Sequence, residues 1–365
     1  VNLDPTETQR LLQEGLTALL RAEVPFDRIR TLERTGDWDR KLWSALAEQG
    51  WLGLPFGGGG AGAVVEGDDE HGGLVDLGLA VECLARRAAI VPILEVAVAG
   101  RTLAAAGEEA LVEGVVAGDV VPVPAILEAS DCFDAVALAV DDAGRLTGEK
   151  RFVDYGQHAT HHLVAARMDG APALLCVDAR GPEVRCEPLR HIGRTPSCVV
   201  HYEGAPARRV GDAGALETVI LLGRALAAVQ CVGAMAEALD ATVRYARVRE
   251  QFGKPIGSFQ AVRHHCADMA SRVASARQMA FEALSELASG HADPVRVAAA
   301  KAAASRAAPE VLMLAHQIHG GNGVIEENDL YFFTLRGKER SLAWGSVEEC
   351  LDVVARRVDQ PVDWL

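Results

Sequence analysis

Tyr245-Ala-Arg-Val-Arg-Glu-Gln-Phe-Gly-Lys-Pro-Ile-Gly-Ser-Phe-Gln260 decides how this chain is read. A long helical pattern ends there in Arg249, Phe252 and Gly253, breaks at Pro255-Ile256-Gly257, and restarts with Ser258 as a polar cap. That predicts a corner between two helices. A fixed guanidinium and a flat aromatic at such a corner suit a planar base joined to a diphosphate. Further on, His316-Gln-Ile-His-Gly-Gly-Asn-Gly323 ends another helix in glycines, whose bare backbone lets amides approach an anion. Together the two stretches describe a grip for the adenosine diphosphate half of a dinucleotide. The plainer alternatives are a helix-corner ion pair with a core aromatic at Arg249 and Phe252, and a simple helix C-cap at Gly320–Gly323.

Outward from this corner, helical periodicity fills Ala213 to Arg249, Ser258 to about Ser289, Asp293 to His319 and Ser346 to about Val358. The last begins with Ser346-x-x-Glu349, a capping box. Such lengths predict an antiparallel bundle over 213–365. From Asp119 to Arg208 short apolar runs alternate with Gly, Asp and Pro turns: Ala135–Val140, His162–Ala166, Ala173–Val177 and Ser197–His201. A small β domain is expected over 119–212. The preceding 1–118 reads as helical: Asp4-Pro5 opens a helix from Thr6 to about Ala22, a second runs from near Asp37 to Gly50, and two more lie between about Leu74 and Val115. The fold class is therefore α+β, in the order helices, strands, long helices.

At 365 residues, 49% hydrophobic and 24% charged, the chain has the composition of a globular protein with two or three domains. A net charge of −15 argues against nucleic acid as the main ligand. The N-terminus lacks a signal-peptide pattern and no apolar run reads as a membrane span, so a cytoplasmic protein is expected. Cys83, Cys132, Cys176, Cys186, Cys198, Cys231, Cys266 and Cys350 are scattered without zinc spacing, which predicts reduced thiols. The glycine run from Gly57 to Gly62 lacks the Gly-Lys-Ser/Thr of a phosphate loop. His158, His161 and His162 lack a carboxylate or thiol at ligand spacing, which favours a hydrogen-bonded strand end over a metal.

Arg249-x-x-Phe252-Gly253-Lys-Pro-Ile-Gly257-x-x-Gln260 and Gln317-x-x-Gly320-Gly321-x-Gly323 resemble the two FAD-contacting signatures of the acyl-CoA dehydrogenase family. Glu327-x-Asp329-Leu330 with Arg336 is similar to the stretch that usually follows. The resemblance covers nearly the whole chain. It implies the acyl-CoA dehydrogenase fold, with an N-terminal α-helical domain, a middle β domain and a C-terminal four-helix bundle. It also implies FAD as cofactor, an acyl-CoA thioester as substrate and electron-transfer flavoprotein as electron acceptor. FAD contacts fall at Arg249, Phe252, Gln317, Gly320, Gly321 and Gly323.

That chemistry requires a carboxylate to remove the α-proton, while the flavin receives the β-hydride. The family's glutamate sits at one of two positions, which here hold Trp344, in Trp344-Gly345-Ser346, and Gly223, before Arg224. Neither side chain accepts a proton. Arg224 is left as a neighbour of the flavin or substrate site, and Glu326, Glu327, Glu348 and Glu349 read as surface or capping acids. The family's Thr-Glu-Pro-x-x-Gly-Ser-Asp stretch is replaced by Val121–Asp131. Its Trp-Ile-Thr is replaced by Phe152-Val153-Asp154, where Asp154 sets a negative charge in place of a hydroxyl.

In the family the retained signatures reach the FAD of a neighbouring subunit. The pattern resembles the companion chain of α2β2 actinobacterial steroid acyl-CoA dehydrogenases. Two other readings stand beside it: a homotetramer with a displaced base such as Glu327 or Asp154, and a non-enzymatic relic.

Overall fold

The computed structural model describes residues 5–57, 73–129, 133 and 135–358. Asp4, Gly58 to Gly62, Asp131 and Cys132 lie outside them. The chain forms two compact units, one of Val1–Ile29, Gly78–Ala89 and Arg224–Leu365, the other of Arg30–Leu77 and Ile90–Gly223.

Helix α1, Glu7–Glu23, lies within a residue at each end of the helix expected from Thr6 to about Ala22. Thr6 is its N-cap and forms a full capping box with Gln9, which satisfies two first-turn amides. Helix α2, Phe26–Thr35, is additional to the sequence reading; the Pro25 carbonyl accepts from its first turn. Helix α3, Arg40–Glu48, begins behind Asp39, a buried cap that accepts from the Leu42 amide at 2.8 Å. The region expected to hold two helices holds three: α4, Leu74–Arg86, α5, Ile93–Ala105, and α6, Glu109–Ala117.

Among the described residues, the seven strands of the second unit sit in two sheets. One has the order β1 (Pro122–Ala125), β3 (His161–Met168), β4 (Ala171–Asp178), β7 (Arg208–Gly211), parallel only between β1 and β3. The other is antiparallel, β2 (Arg145–Asp154), β6 (Ser197–Pro206), β5 (Val184–Leu189). The run Ala135–Val140, expected as a strand, makes only isolated bridges at Ala139 and Val140. Its Ala137 and Leu138 amides donate to the Glu128 carboxylate and are lost to any ladder. Glu128 in turn binds Lys150, fully buried in β2, at 2.7 Å.

In the first unit, α7 (Ala213–Val248), α8 (Gln260–Ala288), α9 (Pro294–His319), α10 (Leu330–Leu342) and α11 (Val347–Val358) form the C-terminal bundle. Helix α10 was hidden from the sequence reading. Its Phe332 stacks on Phe26 of α2 at 5.4 Å and 13°. Helix α7 corrects another expectation, because it is long and apolar enough to cross a membrane. In the protein 94% of that apolar window is buried, so its apolar surface is satisfied by the core.

Candidate functional site

The helix corner is built as a two-residue hairpin. Strands β8 (Glu250–Gln251) and β9 (Lys254–Pro255) pair across Phe252 and Gly253, both left-handed at φ 54° and 77°. A tight hairpin of this twist wants positive φ at both central residues, so Asn-Gly or Asp-Gly is the usual choice. Phe at the first position is strained. It is also 92% exposed, which removes the core-aromatic alternative. Phe259 meets Phe252 edge-on at 6.0 Å, and Lys254 lies over Phe259.

The hairpin folds back on the end of α7. Ile256 N–H donates to the Arg249 carbonyl at 2.7 Å, and a Cβ on Gly257 would stand 2.9 Å from the Ala246 carbonyl oxygen. Ser258 does not cap α8 as expected. It ends a 3-10 turn, its hydroxyl is buried without a partner, and the α8 N-cap is Phe259. The turn set by Pro255 places the serine one residue too early to reach the helix amides.

The second stretch closes α9. Gly320 is its C-cap at φ 59°, ψ −140°, and donates to the His316 carbonyl. Gly321 has open space where a Cβ would be, while a Cβ on Gly323 would meet His319 at 2.8 Å. Arg249, Gln317, Gly320 and Gly321 are exposed and Gly323 is buried. The two stretches meet through Tyr245 and His319, whose rings stack at 4.4 Å and 17°. Nothing in the spacing announced this contact, although Tyr245 lies one helical turn before Arg249 and His319 directly before Gly320.

Trp344 sits in the turn between α10 and α11 at φ 60°, followed by Gly345 at 110°. Two buried cations hold that turn. Arg224 Nε donates to the Trp344 carbonyl at 3.2 Å; Lys301, fully buried, donates to the Ser341 and Gly345 carbonyls and to Ser305 Oγ at 3.2, 3.1 and 2.6 Å. Burial lowers the Lys301 pKa, and all three of its ammonium donors have acceptors. A lone lysine in the alanine run from Ala298 to Ala304 was a legible sign of this buried charge.

Glu349 is the acid the sequence undervalued. Ser346 Oγ accepts from its amide as a cap should, but its carboxylate accepts from Arg224 Nη2 at 3.1 Å. Glu326, Glu327 and Glu348 are exposed, as expected of surface acids. Gly223 precedes Arg224 within α7.

In the other unit Phe152 is left-handed at φ 53° and half exposed, beside a bulge in β2. Asp154 lies partly buried, 4.0 Å from His191. The three histidines separate into different hydrogen-bond systems. His158 adjoins Arg40 and Gln157, and His161 faces Thr160. His162 is buried between the Gly156 carbonyl at 3.0 Å and the Tyr202 hydroxyl at 3.1 Å. Among the described residues no group of three metal-binding side chains occurs. Cys83, Cys176, Cys186, Cys198, Cys231, Cys266 and Cys350 are free thiols.

Helices, two small sheets and a long helical bundle, in that order along the chain, define the architecture of a known protein family. The chain belongs to the acyl-CoA dehydrogenase family: its residues 6–117 match the model of the family's N-terminal domain and residues 213–359 that of its C-terminal domain. Members of the family are FAD-dependent oxidoreductases.

The acyl-CoA dehydrogenase IpdE2 of Mycolicibacterium smegmatis is 30% identical over 347 residues, covering 92% of this chain and 95% of that one. The ChsE4–ChsE5 complex of Mycobacterium tuberculosis shares the fold at TM-score 0.89 and 27% identity, covering 99% and 100%. A variant of the Tcur3481–Tcur3483 steroid dehydrogenase does so at TM-score 0.87 and 28% identity, covering 97% and 99%.

Proposed function

We propose that this chain is the companion subunit of an α2β2 acyl-CoA dehydrogenase, lending Arg249, Phe252, Gln317, Gly320, Gly321 and Gly323 to the ADP half of FAD held mainly by a related partner. One observation carries the reading: an aromatic at a strained hairpin position is spent on solvent rather than on the core of its own chain. Packing gives no reason for it; a partner-borne adenine does. The open backbone at Gly320 and Gly321 fits a phosphate, whose approach a side chain would block.

The chain's own base is missing in this reading. Trp344 and Gly223 occupy the two family positions, and Arg224 is engaged by Glu349. FAD supplies the hydride acceptor for oxidation of an acyl-CoA thioester between Cα and Cβ, and the partner supplies the carboxylate that removes the α-proton. This chain's part is to bind and orient the dinucleotide. Electron-transfer flavoprotein is the acceptor that the family implies. The paired relatives ChsE4–ChsE5 and Tcur3481–Tcur3483 support an assembly of two related chains.

Expression decides the matter. Alone, the chain is expected to hold little flavin and turn over no acyl-CoA; with the related chain that co-purifies from its host it forms a yellow, active complex. A yellow, active protein made alone overturns the reading.

A second reading, a homotetramer with a displaced carboxylate, has one observation in its favour. Glu349 brings a half-buried carboxylate to Arg224 at the Trp344 turn, which neither Glu327 nor Asp154 does. Its test is bleaching of bound flavin by acyl-CoA in the chain made alone, abolished by Glu349→Gln.

A further inference from the structure

We propose that the Tyr245–His319 stack is the positioning element that fixes the spacing between the two halves of the ADP grip, so that Tyr245 and His319 act on the dinucleotide through Arg249, Phe252 and Gly320. The inference rests on the ADP-grip reading and deepens it.

The geometry is a series of short contacts joined end to end. Phe252 and Gly253 are tied to α7 by the Ile256 to Arg249 hydrogen bond, with Gly257 lying against Ala246. Arg249 is one turn beyond Tyr245, to which its amide donates at 2.8 Å. Tyr245 stacks on His319 with rings nearly parallel. His319, buried, has its orientation fixed by Nδ1–H donation to the Ala315 carbonyl at 2.9 Å. A Cβ on Gly323 would stand 2.8 Å from the Cβ of His319, and His316 is bonded to Thr334 of α10 at 2.7 Å.

The stack is thus the one aromatic contact, among the described residues, that spans the end of α7 and the end of α9. A ligand that needs both ends gains from having their separation set beforehand, because ordering at the moment of binding weakens affinity. A stack at the edge of a site, with neither ring on the hairpin tip or in the glycine turn, serves that purpose without itself touching ligand.

The test is FAD affinity of the native assembly purified from its host, stripped of flavin and titrated with FAD by quenching of flavin fluorescence. Tyr245→Leu and His319→Leu are each expected to weaken FAD by about three- to tenfold, the worth of one aromatic pair. The double variant is expected to be no weaker than either single one, because both remove the same contact. Tyr245→Phe keeps both the stack and the His319 Nδ1 hydrogen bond and is expected to retain affinity, which separates positioning from general loss of packing.

Arg249→Ala tests the underlying reading. If it leaves FAD affinity unchanged, the ADP grip is wrong and the inference falls with it. If it weakens FAD while the leucine variants do not, or if their effects add, the grip stands and the positioning role is overturned.

Discussion

Phe252 separates stability from binding at a single position. Its left-handed backbone favours Asn, while its exposed ring adds nothing to the core. Phe252→Asn is therefore expected to leave the unfolding free energy measured in urea unchanged or raise it by up to about 1 kcal/mol, while loosening FAD in the assembled protein. Loss of both stability and flavin would return the ring to a packing role. Trp344 teaches a different lesson at this scale. The sequence reading sets it at a position where the family carries its glutamate, but the response of the surroundings was not legible. A capping box read from Ser346 and Glu349 is a local pattern, and the pull of Arg224 on Glu349 comes from a residue 125 positions away.

Among the elements, the two sheets contain a titrating group whose effect on stability has a definite sign. Burial lowers His162 from 6.5 to about 4, against the smaller opposing effect of the Gly156 carbonyl. Its neutral ring donates from Nε2 and accepts from Tyr202 at Nδ1. Between those pH values the unfolded chain binds the proton and the folded chain does not. Stability is thus intact above 6.5 and falls as pH drops toward about 4, by about 3 kcal/mol in all. Urea midpoints across that range are expected to fall less in His162→Gln than in the parent. Legibility among the elements followed periodicity. Helices α7, α8 and α9 announced themselves by length, whereas α2 is short and charged and α10 is thick with aromatics. Strand β2 hid behind two register shifts and Gly148 at φ 145°, which break the alternation of two that marks a strand.

For the whole molecule, the order of helices, strands and long helices was legible from the sequence because each stretch repeats its own period many times. The meeting of Tyr245 with His319 was not, since it is set by how α7 and α9 lie together rather than by any local pattern. The uncovered hairpin has a cost for the cell. Val248, 76% exposed, and Phe252 leave a sticky knob on every newly made copy. If the proposed companion role holds, an orphan protomer is expected to self-associate or to be cleared by proteases, so its abundance in vivo should track the supply of the partner chain. Deleting the gene for that chain and following this one by immunoblot measures the dependence; undiminished soluble protein would show that the knob needs no cover.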